Sequence, residues 1–226
     1  MSFYIRFLIP LLLLPALLCS QDLDIEPVNY KKVRKAIKRK KSPYYYPAIY
    51  QRYLDLDTSL TANDFRHLYY GYSFQKAYQP YGTPALRDSL INYLQRDEPM
   101  QQEVEVAARI AGELLKESSF RLRETFIAAV AFEMSGNVRM SAIYYDFFEK
   151  QVEAIMSSGD GLSTETAFSV IYISDEYEIL EVLGFVFHGE QSLIEGDFDL
   201  LQIEDNAFGI EEMYFDVSRL IEVGFR

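Results

Sequence analysis

The chain has 226 residues, 49% hydrophobic and 15% aromatic, with 18 tyrosines, 16 phenylalanines, one cysteine and no tryptophan. That length and apolar content suit one globular domain with a packed core, and the lone cysteine excludes an intrachain disulfide. Net charge is −12, but the first 41 residues hold nine basic and three acidic side chains, so residues 42–226 carry −18 and repel nucleic-acid phosphates, excluding a nucleic-acid binder.

Arg6 precedes an apolar run over 7–18, interrupted only by Pro10 and Pro15 and followed by Cys19, Ser20 and Gln21. This pattern describes a secretory signal peptide over 1–20, cleaved between Ser20 and Gln21. A membrane-spanning helix needs about 20 apolar residues, more than the run supplies. Cys19 admits a second reading, a lipoprotein cut before a lipidated cysteine and anchored to the envelope, although Leu18 is larger than the residue such sites favour. In both readings the mature protein is exported, to the periplasm or beyond.

Residues 21–41 form a basic lead. Over 30–41, Tyr30, Val33 and Ile37 share one helical face, surrounded by Lys31, Lys32, Arg34, Lys35, Lys38, Arg39, Lys40 and Lys41. The helix either docks its thin stripe on the acidic body or lies on an anionic membrane surface, where each basic residue gains about 1 kcal/mol. Ser42-Pro43 ends it. Residues 44–47 are expected as an extended connector, and 48–56 as a short helix with Ile49, Tyr53 and Leu54 inward.

Residues 61–78 are expected as the central helix. Thr61 is its N-cap and Asp64 lies near its positive end. Phe65, Leu68, Tyr69 and Tyr72 form one apolar face, and His67, Tyr70, Phe74 and Tyr78 another. Only Ala62, Arg66, Ser73 and Lys76 form a wet stripe. Neighbours on several sides are implied, and Gly71 marks a close approach, since a mid-helix glycine costs about 1 kcal/mol against alanine.

Thr83 and Pro84 open the next helix, with Leu86, Leu90, Tyr93 and Leu94 on one side. Pro99 opens another, spaced by Val104, Ala107, Ala108, Ala111, Leu114 and Leu115. A helix over 120–134 turns inward Leu122, Phe126, Ala129 and Val130. After Gly136-Asn137, a helix over 141–156 turns inward Ala142, Tyr145, Phe148, Val152 and Ile155. The last two resemble one tetratricopeptide hairpin, with no second copy at the required period. Beyond Ser158-Gly159-Asp160-Gly161 the pattern changes. Residues 167–172 read as a strand, Ser174 caps a brief helix opened by Asp175 and Glu176, and strands are expected over 192–195, 198–203 and 212–218.

No G-x-S-x-G elbow, phosphate loop, dinucleotide fingerprint or H-E-x-x-H motif is present. The only histidines are His67 and His188. No cofactor or metal is expected. Gly159-Asp160-Gly161 with Asp175 and Glu176 lacks the spacing of a calcium loop, and nothing in so acidic a chain selects a carboxylate pair for glycoside hydrolysis. Arg66, His67, Tyr69 and Tyr70 form the densest constellation, either an anion or sugar site or an internal network with Arg66 paired to Asp57 or Asp64.

The motifs S-P-Y-Y-Y-P, R-Y-L-D-L-D-T-S-L-T, R-H-L-Y-Y-G-Y-S-F-Q, S-G-D-G-L-S-T-E-T-A-F-S-V-I, D-E-Y-E-I-L and Y-F-D-V-S run through 42–218. In these the chain resembles an exported family, found mainly in Bacteroidetes and catalogued as domain of unknown function 4919. The resemblance implies export and the extent of the domain, with no assigned activity.

The expectation is an α+β protein: one globular domain over 42–226, helical over 42–157 and mixed over 158–226. It is mainly a helical bundle with a tetratricopeptide-like hairpin, closed by a small C-terminal antiparallel meander. The function expected is a non-enzymatic binding or scaffold module of the bacterial envelope, engaging protein or glycan through an aromatic surface. The alternative is a hydrolase of envelope polymers with an unlocated carboxylate pair.

Overall fold

A computed structural model describes residues 25–82, 85–94, 96, 100–117 and 119–224. The signal segment with Cys19, Ser20 and Gln21, the expected helix start at Thr83 and Pro84, and Pro99 lie outside the described residues.

Helix α1 (Tyr30–Lys38) is capped by Asn29, whose side chain accepts from the Lys32 amide. Val33 and Ile37 are buried against the central helix, and the Tyr30 ring meets Tyr70 edge-on at 5.9 Å. The apolar stripe is thus docked on the body, with the basic residues on the exposed flank. Helix α2 (Tyr46–Leu54) starts two residues earlier than expected, because Pro47 suits its first turn. Residues 44 and 45 form a turn instead of an extended connector, closed by the Tyr45 amide on the Ser42 carbonyl at 3.2 Å. Leu54, expected inward, is exposed, one position past the face of Tyr46, Ile49 and Tyr53.

Helix α3 (Ala62–Tyr72) has a complete capping box: Thr61 Oγ1 accepts from the Asp64 amide, and the Asp64 carboxylate accepts from the Thr61 amide at 2.9 Å. Phe65, Leu68, Tyr69 and Tyr70 are fully buried, wrapped by α1, α2 and a long later helix. Both early helices crowd Gly71: a Cβ there would stand 3.0 Å from the Tyr46 ring and 3.1 Å from Ile37.

This helix ends at Tyr72, six residues short of expectation. The reason lies in its last carbonyls. Gly71 accepts from the Phe74 amide and the Gln75 side chain, Tyr70 accepts from the Ser73 hydroxyl, and Ser73 accepts from Arg219 at 2.8 Å. With those groups satisfied, nothing demands another helical turn. Ser73, expected wet, is consequently buried.

Helices α4 (Arg87–Leu94), α5 (Gln101–Glu117), α6 (Leu122–Met134) and α7 (Val138–Met156) pack each on the next. Residues 85 and 86 form a turn, so α4 begins later than its sequence suggests. All six apolar residues expected inward on α5 are buried. The hairpin of α6 and α7 turns at Gly136, whose φ of +77° suits glycine, and Asn137 caps α7. On α7 the buried stripe runs through Ile143, Tyr144, Phe147, Phe148 and Gln151, leaving Ala142 exposed and Tyr145 half-buried. On α6, Ala128 and Ala131 are buried while Phe126 and Val130 are half-buried, because neighbours crowd this helix from more than one side.

Strand β1 (Phe168–Ser169) is far shorter than expected. Its continuation is held by tyrosines instead of a ladder: the Ile171 amide donates to the Tyr69 hydroxyl at 3.1 Å, and the Ile171 carbonyl accepts from Tyr78. Helix α8 (Ile173–Leu183) then begins after Tyr172, not at Ser174. Strands β2 (Phe187–Ile194), β3 (Phe198–Ile203) and β4 (Glu212–Asp216) form the antiparallel meander. The sheet is mixed nonetheless, in the order β1-β4-β3-β2, since β1 runs parallel to β4 with Phe168 opposite Phe215. Helix α9 (Ser218–Gly224) closes the described chain and had no counterpart in the sequence reading.

Gly71→Val tests the close approach in the core. Valine is the better helix former, yet overfilling this contact is expected to destabilise by about 1–3 kcal/mol, read from urea unfolding midpoints.

Candidate functional site

Side chains of the Arg66 constellation leave α3 for separate destinations. Arg66 donates to the carbonyls of Ala154, at 3.3 Å, and Glu26 and to the Ser157 hydroxyl, strapping the lead and the end of α7 to α3. It does not pair with Asp57 or Asp64. Arg52 lies 2.7 Å from Asp57 and 3.9 Å from Asp64 instead. Asp57 is held down to about 2 by the Ser59 hydroxyl and Arg52.

His67 lies flat on Tyr44, with centroids 3.6 Å apart and planes 6° from parallel, and its Nδ1 is 2.9 Å from the Asn63 carbonyl. Burial lowers its pKa. Tyr69 donates to Asp175 at 2.8 Å, and Tyr70 to the Ser169 carbonyl at 3.0 Å. Tyr69 and Tyr70 are thus core rather than an aromatic surface, while Arg66 and His67 are half-buried at the edge of that core.

The sequence reading missed a set of buried acids. Asp175 and Glu176, expected at an open helix start, are fully buried, and Asp199 is 7% exposed. Two signals announced them. Glu176 shares the helical face of Ile179, Leu180 and Leu183, and Asp199 shares the inward face of Leu201 and Ile203.

Asp175 acts at the start of α6. That helix has no side-chain cap of its own, and Asp175 Oδ1 accepts the Leu122 amide at 3.2 Å. Burial pushes its carboxyl up to about 7, against the opposing pull of the Tyr69 and Leu122 hydrogen bonds.

Glu176 and Asp199 come within hydrogen-bond reach of each other. The Gln191 amide donates to both, at 3.2 and 2.8 Å, and is itself held by the Tyr177 hydroxyl. Burial, then the neighbouring carboxyl, raises the Glu176 pKa, and burial raises that of Asp199. Glu176 Oε1 finds no donor among the described residues. A proton between the carboxyls or a cation beside them is therefore required.

Asp199 also lines a cavity of about 340 Å3 between the sheet, α9 and the Tyr81 segment. From Gln151 to Ser218 the chain has 16 acidic residues and no lysine or arginine. Among the described residues no three His, Cys, Asp or Glu side chains converge as a metal site.

Asp175→Asn keeps an acceptor for Leu122 and removes a titration. A carboxyl near 3.9 unfolded and about 7 folded contributes stability that is complete below pH 4 and lost as pH rises through 7. Wild-type stability is expected to fall from pH 4 to 7, and the variant to lose much of that slope, measured by urea unfolding at each pH.

No curated protein and no solved structure matches the chain. A family model does, over residues 31–225. The chain belongs to the family described as domain of unknown function (DUF4919).

Proposed function

We propose that this is an exported, non-enzymatic binding module of the bacterial envelope that takes up an extended cationic protein segment along β2. The observation behind this reading is the outer edge of the sheet. β2 is its terminal strand, and six consecutive residues, from His188 to Leu193, are exposed. It has neither the lysines nor the prolines that commonly blunt such edges. A bulge between Phe187 and Gln191 leaves the stretch from Gln191 to Ile194 regularly paired with β3 and open on its other side. Glu190, Glu195 and Asp197 are exposed around it.

Strand addition supplies affinity through main-chain hydrogen bonds, and the acid-only surroundings select cations. Export rests on the apolar run over 7–18. The α1 helix uses Val33 and Ile37 against α3, so any membrane contact would be held by its exposed lysines and arginines alone.

Two measurements test the reading. An eight-residue peptide alternating lysine and threonine is expected to bind and to slow amide exchange from Gln191 to Ile194, while its glutamate counterpart does not bind. Affinity should weaken roughly tenfold or more in high salt and vanish in the triple variant Glu190→Lys, Glu195→Lys, Asp197→Lys. Equal binding of both peptides would overturn it. For export, the mass of the mature protein is expected to place its first residue at Gln21; a retained 1–20 segment contradicts that step.

A further inference from the structure

Where the inner face of the sheet meets α9, the fold leaves a half-open pocket of about 340 Å3, within the range of small-molecule sites. Its walls are apolar: Ile173, Val217, Leu220 and Ile221. Tyr81 and Leu193 are 57% and 56% exposed and form its open side, whereas Val217 and Leu220 are each 1% exposed and form its floor. One charged side chain lines it, the buried Asp199.

Asp199 and Glu176 together are rich in acceptors and short of donors. Gln191 supplies two N–H groups, yet apart from a proton shared with Asp199, Glu176 Oε1, fully buried, meets no donor among the described residues. No lysine or arginine among those residues lies within ion-pairing distance of either carboxyl. A buried negative charge without a counter-cation is costly, and the cavity is the open route by which a cation reaches it. The apolar walls then select what carries the cation.

We propose that this cavity binds a primary ammonium group borne on an apolar chain, with the ammonium on Asp199 and the chain against Val217, Leu220 and Ile221. An ammonium carries three donors on a slender stem, matching an acceptor-rich end in an apolar slot. Free alkylamines and lysine side chains share this chemistry. The site borders the edge strand at Leu193, but its charged end and floor lie on the inner face of the sheet, and it does not depend on strand addition at β2.

Hexylamine, hexanol and hexanoate titrated into methyl-labelled protein provide the test. Hexylamine is expected to shift the methyl signals of Val217, Leu220 and Ile221 and to bind at least about tenfold more tightly than hexanol, with hexanoate weakest. Asp199→Asn should abolish the preference for amine over alcohol. Should that variant fail to fold, the wild-type methyl map and the amine-to-alcohol ratio decide alone. N-acetyl-lysine methylamide, with its side chain free, separates the sources: binding comparable to hexylamine assigns the site to lysine side chains, and hexylamine binding alone assigns it to free amines. Unshifted floor methyls, or hexanol binding as well as hexylamine, would overturn the proposal. Strand addition would stand in that event, because its peptide test reads different residues.

Discussion

One hydroxyl joins the two halves of this molecule. Tyr69, at the buried centre of α3, donates to Asp175 and accepts from the Ile171 amide. Asp175 in turn accepts the first amide of α6. A single side chain thus connects the central helix, the segment leaving β1, the start of α8 and the start of α6. Tyr70, from the same helix, and Tyr78, from the segment after it, reinforce it on the carbonyls of Ser169 and Ile171. Such bonds are worth about 1 kcal/mol each when formed, and more is lost when one partner is removed and the other stays buried. Their placement explains why the expected strand over 167–172 shrinks to two residues: its later backbone groups belong to tyrosines.

That arrangement also explains which features the sequence disclosed. Helix positions followed from caps and apolar spacing, and Thr61 with Asp64 is the clearest case, since both halves of its capping box form. Helix ends were harder, because their termination is tertiary. Arg219, 146 residues away, satisfies the Ser73 carbonyl and lies 3.9 Å over the Phe74 ring, and no local pattern announces such a partner. Acids at the start of α8 looked like ordinary helix-dipole residues. Their burial is set by α6 on one side and by β2 and β3 on the other. The helical spacing of Glu176 and the strand alternation of Asp199 did carry the information, each as an acid on an apolar face.

The Arg66 constellation teaches the complementary point. Arginine, histidine and tyrosines on one buried helix concentrate hydrogen-bonding groups that must find partners when water is excluded. Here they find the Ala154, Glu26, Asn63 and Ser169 carbonyls and Asp175. Density of polar residues in sequence marked the joint of the fold, where these side chains tie α3 to the lead, to α7 and to α8.

The Glu176 and Asp199 pair differs because it is incomplete. It sits in a stretch of 68 residues from which lysine and arginine are absent, and although Arg123 reaches Glu178 on the same helix, no lysine or arginine among the described residues pairs with Glu176 or Asp199. Two carboxyls in contact hold one negative charge between them when one proton is shared, and burial favours that proton. A cation entering beside Asp199 displaces the need for it. Burial that makes the pair costly in the empty protein is then what makes it selective for a charged ligand, since the same low-dielectric surroundings strengthen the new contact.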